Sequence, residues 1–224
     1  MEYQMKDIIR EIRIALDQNM SSAALVALGD VDTLSIEDLV NSKIEDAARA
    51  VVMSAPLAFL GTGKAFGDTV GWDMQAGYGS GHIVLPDDFL RLIVFQMSDW
   101  SMPVTLAIDA TSPLYSRQRS RYAGVRGNPQ RPVVAIVSQP IGKVLEFFSC
   151  EQGEHVYIRM ARYAPLPKRY TIDDEDVIDL PEKLLRPVVY YAAYLVSLST
   201  QQAEQAAKFL GVCQELLGVP VTAQ

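Results

Sequence analysis

The sequence is poor in the residues that build disulfide scaffolds and metal centres. Its 224 residues include two cysteines, Cys150 and Cys213, and two histidines, His82 and His155. Two thiols are too few for a disulfide framework and are typical of a reducing compartment. Because neither a CxxC nor an HxxxH pair occurs, a zinc site would need ligands from remote positions. We therefore predict no metal and no cofactor.

Long apolar runs are also missing. No stretch of about 18 apolar residues occurs, so the sequence predicts no membrane-spanning helix. The opening segment, MEYQMKDIIREIRIAL, carries charges throughout, whereas a signal peptide needs an uninterrupted apolar stretch. Hydrophobic residues make up 49% and charged residues 21% of the chain, which is typical of a globular protein and argues against disordered, collagen-like and coiled-coil classes.

Catalytic motifs are incomplete or absent. The segment 61–68, GTGKAFGD, is similar to a phosphate-binding loop, but Ala58 and Ala65 stand where that loop needs glycine and serine or threonine. No serine lies in a GxSxG nucleophile elbow. Asp87 and Asp88 are adjacent, so they face different directions and predict a turn or helix cap, not a pair sharing a proton. The sequence therefore predicts a protein that is not an enzyme.

One window of this acidic chain contains no acidic residue. The formal net charge is −7, and it divides into −9 for residues 1–109, +6 for 110–145 and −4 for 146–224. The window is centred on five arginines: Arg117, Arg119, Arg121, Arg126 and Arg131. The overall charge argues against a broadly basic nucleic-acid binder. The asymmetry nevertheless predicts a partner for the basic window.

Three interpretations of the arginines remain open at this point. They could bind phosphates, they could contact an acidic surface on a neighbouring subunit, or they could form a solvated loop. The subunit contact is favoured because the rest of the chain is acidic, so a homo-oligomer needs no further partner. The acidic complement would then be Asp173, Asp174, Glu175 and Asp176.

Hydrophobic periodicity predicts helices in the first quarter of the chain and strands after it. Apolar residues at steps of three and four predict amphipathic helices at 2–18 and 35–54. Ser35 followed by Asp38 predicts a capping box at the start of the second helix. Segments with a period of two predict strands at 82–85, 90–97, 104–109, 131–138, 143–148 and 155–162.

Helical spacing returns in the last third of the chain. Pro187 lacks a backbone N–H, so either a helix begins near it or it kinks a longer helix. Thr200 can cap the last helix, which Gly218 and Pro220 end. The acidic run 173–179 lacks the spacing of a calcium-binding loop and predicts the solvated start of a helix.

The order of these elements predicts an α+β fold, in which N- and C-terminal helices form a bundle with an inserted antiparallel β-sheet region and long loops. The predicted segments are N-terminal helices at 1–56, a glycine-rich loop at 57–81, a β-rich insertion at 82–165 with a basic arm at 110–131, and C-terminal helices at 166–224. The helices of both ends would make one composite domain. Seven glycines in the glycine-rich segment predict a long loop or a β-ribbon with glycine-rich turns.

Several phrases resemble a known family. They are HIVLPDDFLRLIVFQMSDWSMPV at 82–104, PLYSRQRSRYAGVRGNPQRPVVAI at 113–136, LEFF at 145–148 and LPEKLLRPVVYYAAYLVSLSTQQAEQAAKFL at 180–210. Their order resembles the head–tail connector, or adaptor, proteins of tailed bacteriophages over roughly residues 80–215. In that family an LP-x-DF strand start and a terminal pair of alanine-rich helices recur around a β insertion.

The resemblance implies a virion structural protein without catalytic activity. It implies a ring of subunits, twelve-fold in this family, at the head–tail junction under the portal protein, with DNA passing through it without sequence recognition. Further implied partners are another neck or tail protein, with no membrane, and assembly would take place in the host cytoplasm. The alternatives are another tail or baseplate subunit, or a small-molecule-binding or enzymatic α+β domain with the glycine-rich segment as a lid.

Overall fold

The computed structural model describes residues 1–16, 35–67, 69–73, 79–120, 122, 124–150 and 156–219. These residues form the helices α1 (Met5–Ala15), α2 (Ile36–Ser54), α3 (Pro113–Arg117), α4 (Leu185–Ser199) and α5 (Ala203–Leu217). They form the strands β1 (Glu2–Gln4), β2 (Lys64–Ala65), β3 (Gly71–Asp73), β4 (Gly79–Val84), β5 (Phe89–Met97), β6 (Ile108–Asp109), β7 (Val134–Gln139), β8 (Gly142–Cys150), β9 (Ile158–Pro165), β10 (Arg169–Ile172) and β11 (Glu175–Asp179).

The chain divides into two compact units. The first, called the terminal unit here, contains residues 1–61 and 166–224, and the second, the central unit, contains residues 62–165. The terminal unit has 10 basic and 18 acidic side chains, a net charge of −8, whereas the central unit has 10 basic and 9 acidic side chains, a net charge of +1. The acidity of the chain therefore belongs almost entirely to the terminal unit.

In the terminal unit, α4 packs against α1, α2 and α5. The capping box predicted for α2 is confirmed, since Ser35 Oγ accepts from the backbone N–H of Asp38 and the Asp38 carboxylate accepts from Ser35. Pro187 lies in the first turn of α4, where a missing N–H breaks no helical hydrogen bond. Gly218 takes a left-handed conformation with φ +68° and ends α5.

The central unit contains two sheets with the core between them. One is antiparallel with the order β2–β9–β5, and the other has the order β3–β4–β8–β7–β6, in which β6 and β7 are parallel. Phe95 of β5 and Phe147 of β8 are fully buried, and their rings lie 6.1 Å apart. Phe66 and Trp100 also pack on Phe95, so aromatic rings fill the space between the sheets.

The predicted fold, a helical bundle with an inserted β region and long loops, is wrong. The described residues are mixed and largely β-rich, with eleven strands in three sheets. The third sheet lies in the terminal unit, in the order β1–β11–β10. Its β1, Glu2–Gln4, falls where the sequence predicts the start of the first helix.

The acidic run 173–179 is the second segment, after β1, in which the sequence predicts a helix and the structure has a strand. It does not start a helix but forms the turn and second strand of the β10–β11 hairpin, with Asp173 and Asp174 as the two turn residues. Both have positive φ, 49° and 63°, as a tight hairpin turn requires. Aspartate is one of the residues that tolerates this conformation, so an acidic pair can make a turn as readily as a helix start.

The glycine-rich segment 57–81 contributes β2, β3 and the first half of β4. A Cβ atom on Gly71 would lie 2.5 Å from the His82 ring, and one on Gly81 would lie 2.6 Å from the carbonyl oxygen of Gly71. The close approach of β3 and β4 therefore requires glycine at both positions. Gly63 likewise packs closely against β9.

Candidate functional site

The described residues of the basic window include a short helix, α3, and residues of the loop that follows it. We call residues 110–131 the basic segment. Its start is fixed by Asp109, whose Oδ1 accepts from the backbone N–H groups of Thr111 at 2.7 Å and Ser112 at 3.0 Å. Ser112 then caps α3, and Pro113 is its first residue.

Gln118 closes the loop that follows α3. Its side chain is buried, its Nε2 donates to the Leu114 carbonyl at 2.9 Å, and its Oε1 accepts from the Gly127 backbone at 2.8 Å. Arg126 anchors the same loop to β8, because its Nη1 donates to the Phe148 carbonyl at 3.1 Å. Gln118 thus holds the loop to α3, and Arg126 holds it against the five-stranded sheet.

The predicted contact arginines differ in availability. Arg117, Arg119 and Arg131 are exposed, whereas Arg126 is half-buried and engaged with β8. Arg121 lies outside the described residues. The structure therefore places three exposed guanidinium groups on the basic segment, and what they bind stays a prediction.

A cleft of about 530 Å³ lies beside the basic segment, on the sheet face opposite the core. Its lining includes Trp72, Ser80, His82, Arg119, Gln139 and Glu146. His82 of β4 lies directly opposite Glu146 of β8 in the antiparallel register, so both side chains are on this face. The cleft thus combines strand residues with one exposed arginine from the basic segment.

The carboxylate of Glu146 is the common acceptor of the hydrogen bonds in the cleft. Tyr115 donates its hydroxyl to Glu146 Oε2 at 2.7 Å, and Gln139 Nε2 donates to Oε1 at 2.7 Å. Burial raises the pKa of Tyr115, Glu146 adds to the rise, and the guanidinium of Arg119 opposes it. Arg119 is therefore close enough to interact with the Tyr115 hydroxyl at the rim of the cleft.

Ser80 is the unsatisfied polar group of the cleft. Its residue is 4% exposed, and its Oγ has no hydrogen-bond partner among the described residues. Although a glycine lies on each side of it, Ser80 belongs to strand β4. A buried hydroxyl without a hydrogen-bond partner is uncommon in folded proteins. A hydrogen-bond acceptor beside the Ser80 hydroxyl would remove the cost of leaving it unpaired.

The predicted acidic complement lies in the terminal unit and separates into two pairs. Asp173 and Asp174 are exposed at the hairpin turn, and their carboxylates make no hydrogen bond or ion pair with the described residues. Glu175 and Asp176 begin β11 immediately after them. Only the first pair is therefore available for a partner.

Glu175 and Asp176 are engaged within the terminal unit. Lys6 and Gln4 both donate to the Glu175 carboxylate. Asp176 accepts from the Thr171 hydroxyl at 3.0 Å and forms an ion pair with Arg169 at 3.7 Å. These contacts fasten the hairpin to the N-terminal residues and to its own first strand.

Lys64, the lysine of the GTGKAFGD segment, is part of a structural contact. Its Nζ donates to Asp88 Oδ2 at 2.8 Å, and the Tyr163 hydroxyl donates to Asp88 Oδ1 at 2.6 Å. Asp88 thereby connects β2 and β9 to the start of β5. Burial raises the pKa of Asp88, but the hydrogen bonds from Lys64 and Tyr163, the positive charge of Lys64 and a backbone hydrogen bond lower it, and the net result is a pKa below the ordinary value.

The replacement Asp88→Asn should lower the free energy of unfolding of the central unit by about 1–2 kcal/mol at pH 7, because the amide has one acceptor oxygen in place of two, so one hydrogen bond is lost and the other is no longer charge-assisted. Because the folded pKa is lowered, the carboxylate stabilises fully above its unfolded pKa of about 4, and the stabilisation is lost as the pH falls further. Urea unfolding at pH 7 and pH 3 should show the difference between wild type and variant shrinking at pH 3.

Asp87→Asn is the matched control, since Asp87 is the exposed neighbour in the same turn. We expect it to leave the stability unchanged within about 0.5 kcal/mol at both pH values. Equal effects of the two substitutions would contradict the role given to Asp88.

Both cysteines are buried and free. Burial raises the pKa of each thiol, to about 12 for Cys213, so neither forms much thiolate near neutral pH. Among the described residues, no group of three His, Cys, Asp or Glu side chains has the geometry of a metal site. His155 lies outside the described residues.

Sequence reasoning missed most of the cleft. Ser80, Gln139 and Glu146 come from three strands that only the sheet pairing brings together. A strand residue and its cross-strand neighbour have no fixed spacing in the sequence, so no motif marked them. The signal that existed was the basic composition around Arg119, which identified one wall of the cleft.

Comparison with known proteins adds the remaining findings. The family model described as SU10 adaptor protein matches residues 3–219. Among curated proteins, none matches this chain. Across the described part of the chain, no helix is both long enough and apolar enough to span a membrane.

Proposed function

The chain belongs to the SU10 adaptor protein family, and from that premise we propose that it is the head–tail adaptor subunit of a tailed-phage virion. The family match begins at residue 3 and ends at residue 219, so it includes both the terminal and the central unit. Family membership makes the chain a phage adaptor, which is a structural component of the virion. This match is the observation that carries the proposal.

We propose further that the subunits assemble into a ring, twelve-fold as in the resembling connectors, beneath the portal protein. The charge difference between the units supports this assembly, since a net charge of −8 on one unit and +1 on the other gives each subunit two unlike surfaces. Unlike surfaces that meet head to tail generate a ring when the rotation closes. The other proposed partner is a neck or tail protein below the ring.

The proposed role requires positioning rather than catalysis. DNA would pass through the ring without sequence recognition, and the protein would need neither cofactor nor membrane. The helices of the two chain ends would act as one composite domain, a proposal supported by the grouping of residues 1–61 with 166–224 in one compact unit. The adaptor would then join the head–tail junction after assembly in the host cytoplasm.

Removal of the chain from the phage that encodes it tests this function. We expect DNA-filled heads and separate tails in electron micrographs of the lysate, with complete particles restored when the chain is supplied in trans. Complete tails attached to heads but lacking a baseplate would instead identify a baseplate subunit. Infectious, fully joined particles without the chain would contradict the adaptor function.

A further inference from the structure

We propose that the outer face of the sheet β2–β9–β5 contacts the phosphate backbone of duplex DNA through Arg91, Arg159 and Arg162. The outer face is the one turned away from the core of the central unit. The contact deepens the proposed function and rests on it, because it names the surface that would meet the DNA passing through the ring. Contacts to phosphates carry no base sequence, as that passage requires.

The sheet β2–β9–β5 is basic. Its strands contain four basic side chains and no acidic one, and the basic residues are Lys64, Arg91, Arg159 and Arg162. The strands of the five-stranded sheet in the same unit have the opposite balance, with one basic and three acidic residues. The positive charge on the strands of the central unit therefore belongs to one sheet.

The antiparallel register places two of the arginines side by side on the outer face. Arg91 is paired with Ala164, and Arg162 is paired with Val94. Because side chains alternate along a strand, Arg162 and Ala164 lie on the face opposite to that of Tyr163, which belongs to the core. Arg91 and Arg162 are thus diagonal neighbours on two strands, about 7–8 Å apart between their Cα atoms.

Arg159 and Arg162 can accept an incoming anion. Both are exposed, and neither forms a hydrogen bond or ion pair with the described residues. Ala65 of β2 is paired with Arg162 on its other side, so a small side chain flanks this guanidinium there. Lys64 does not contribute to the contact, because its ammonium group already donates to Asp88.

Arg91 adds a partly desolvated charge to the same face. Its side chain is half-buried, and burial lowers the pKa of its guanidinium. A positive charge that has lost part of its hydration is stabilised by an anion brought beside it. A phosphate that binds Arg162 would therefore also be attracted by its diagonal neighbour.

The composition of the face favours a phosphate backbone over an acidic protein surface. Stable protein interfaces have an apolar centre enriched in aromatic side chains. The aromatic residues of these strands, Phe89, Phe95 and Tyr163, all belong to the core, and Met160 is the large apolar side chain that the strands expose. A row of phosphates needs cations and no apolar centre.

The salt dependence of DNA binding tests the contact. The full chain is titrated into a short fluorescent duplex of mixed sequence at several salt concentrations. Each lost phosphate contact should make the slope of log K against log salt less steep by about 0.9 and weaken binding at low salt by about tenfold. We expect this result for Arg159→Gln and for Arg162→Gln, and twice the change in slope for the double variant.

Three further variants separate the contact from a general loss of charge. Arg162→Lys keeps the positive charge and should retain the slope of the wild type. Arg117→Gln on α3 and Arg186→Gln on α4 remove exposed arginines elsewhere and should leave both slope and affinity unchanged. Circular dichroism confirms that each variant is folded before it is compared.

Several results would overturn the contact. A wild-type chain without salt-dependent binding to the duplex would do so, and so would an unchanged slope in Arg159→Gln and Arg162→Gln. A slope reduced by Arg117→Gln instead would assign the phosphates to the basic segment. Weaker binding of the β9 variants to portal protein, with unchanged DNA binding, would identify an acidic protein surface as the occupant. None of these results would affect the adaptor function, which the joining of heads to tails tests separately.

Discussion

Replacement of Gly63 by alanine should lower the free energy of unfolding of the central unit by about 3 kcal/mol or more. Gly63 has φ +63°, a left-handed conformation in which a Cβ atom is strained. The added Cβ would also lie 2.4 Å from the carbonyl oxygen of Tyr163. Since backbone atoms of β9 cannot move away independently, β2 would have to separate from the sheet.

Two other glycines provide graded controls for this substitution. Gly142 also has a positive φ, but a Cβ atom added there would meet no atom within 4 Å, so Gly142→Ala should cost about 1–2 kcal/mol from strain alone. Gly124 has open space and an ordinary φ, so Gly124→Ala should be close to neutral. Both tryptophans, Trp72 and Trp100, lie in the central unit, so their fluorescence during urea unfolding reports its stability.

If β2 packs closely against β9, the loss of unfolding free energy should be largest for Gly63→Ala, smaller for Gly142→Ala and smallest for Gly124→Ala. Equal costs at Gly63 and Gly142 would show that strain alone matters and that Gly63 does not pack closely against β9. A neutral Gly63→Ala would contradict both the conformation and the contact.

Replacement of Phe95 by alanine should cost about 3–5 kcal/mol, the usual range for deleting a fully buried phenylalanine ring. Phe95 is 0% exposed and contacts the rings of Phe66, Trp100 and Phe147 from three directions. Its removal leaves a cavity between these rings, and such a cavity closes only in part. Urea unfolding followed by circular dichroism measures the cost without relying on Trp100, which touches the altered site.

Val84→Ala is the matched control in the same unit. Val84 is 52% exposed on β4, so its truncation should change the stability by no more than about 0.5 kcal/mol. A cost below about 1 kcal/mol for Phe95→Ala would contradict a core located between the two sheets of the central unit.

Local chemistry made parts of the fold predictable. Ser35 and Asp38 are three residues apart, so the capping box of α2 was visible in the sequence. Gly218 was likewise predicted to end the last helix, and it does so in a left-handed conformation. Six strands of the central unit, β4 to β9, lie within a few residues of the predicted strands because their alternation is also local, whereas β2 and β3 lie in the glycine-rich segment and have no such alternation.

Non-local pairing explains what the sequence did not reveal. β1 pairs with β11, with Tyr3 opposite Ile178, and no spacing rule connects residues so far apart. The sequence predicts a helix start for the acidic run because aspartate is common at helix starts and rare in strands. In β11 only Val177 and Ile178 are buried, and the acidic residues around them are exposed or half-buried, so the strand tolerates its charges.

For the basic segment, too, composition predicts a general property, whereas the individual contacts depend on the fold. Its charge identified it as a surface for a partner, and that interpretation remains a prediction. Composition could not distinguish Arg119, at the rim of the cleft, from Arg126, whose guanidinium anchors the loop to β8. The cleft needs Ser80 and Glu146 from other strands, and only the fold places them beside Arg119.

The mass of the complex that this chain forms with purified portal protein is the critical test of the proposed adaptor ring. Light scattering on the complex, with electron microscopy of the same sample, gives both the number of adaptor subunits and their arrangement. We expect a closed ring of twelve adaptor chains, each of 24.7 kDa, attached to one face of the portal. A chain that remains monomeric in the presence of portal protein, at every concentration tested, would contradict it.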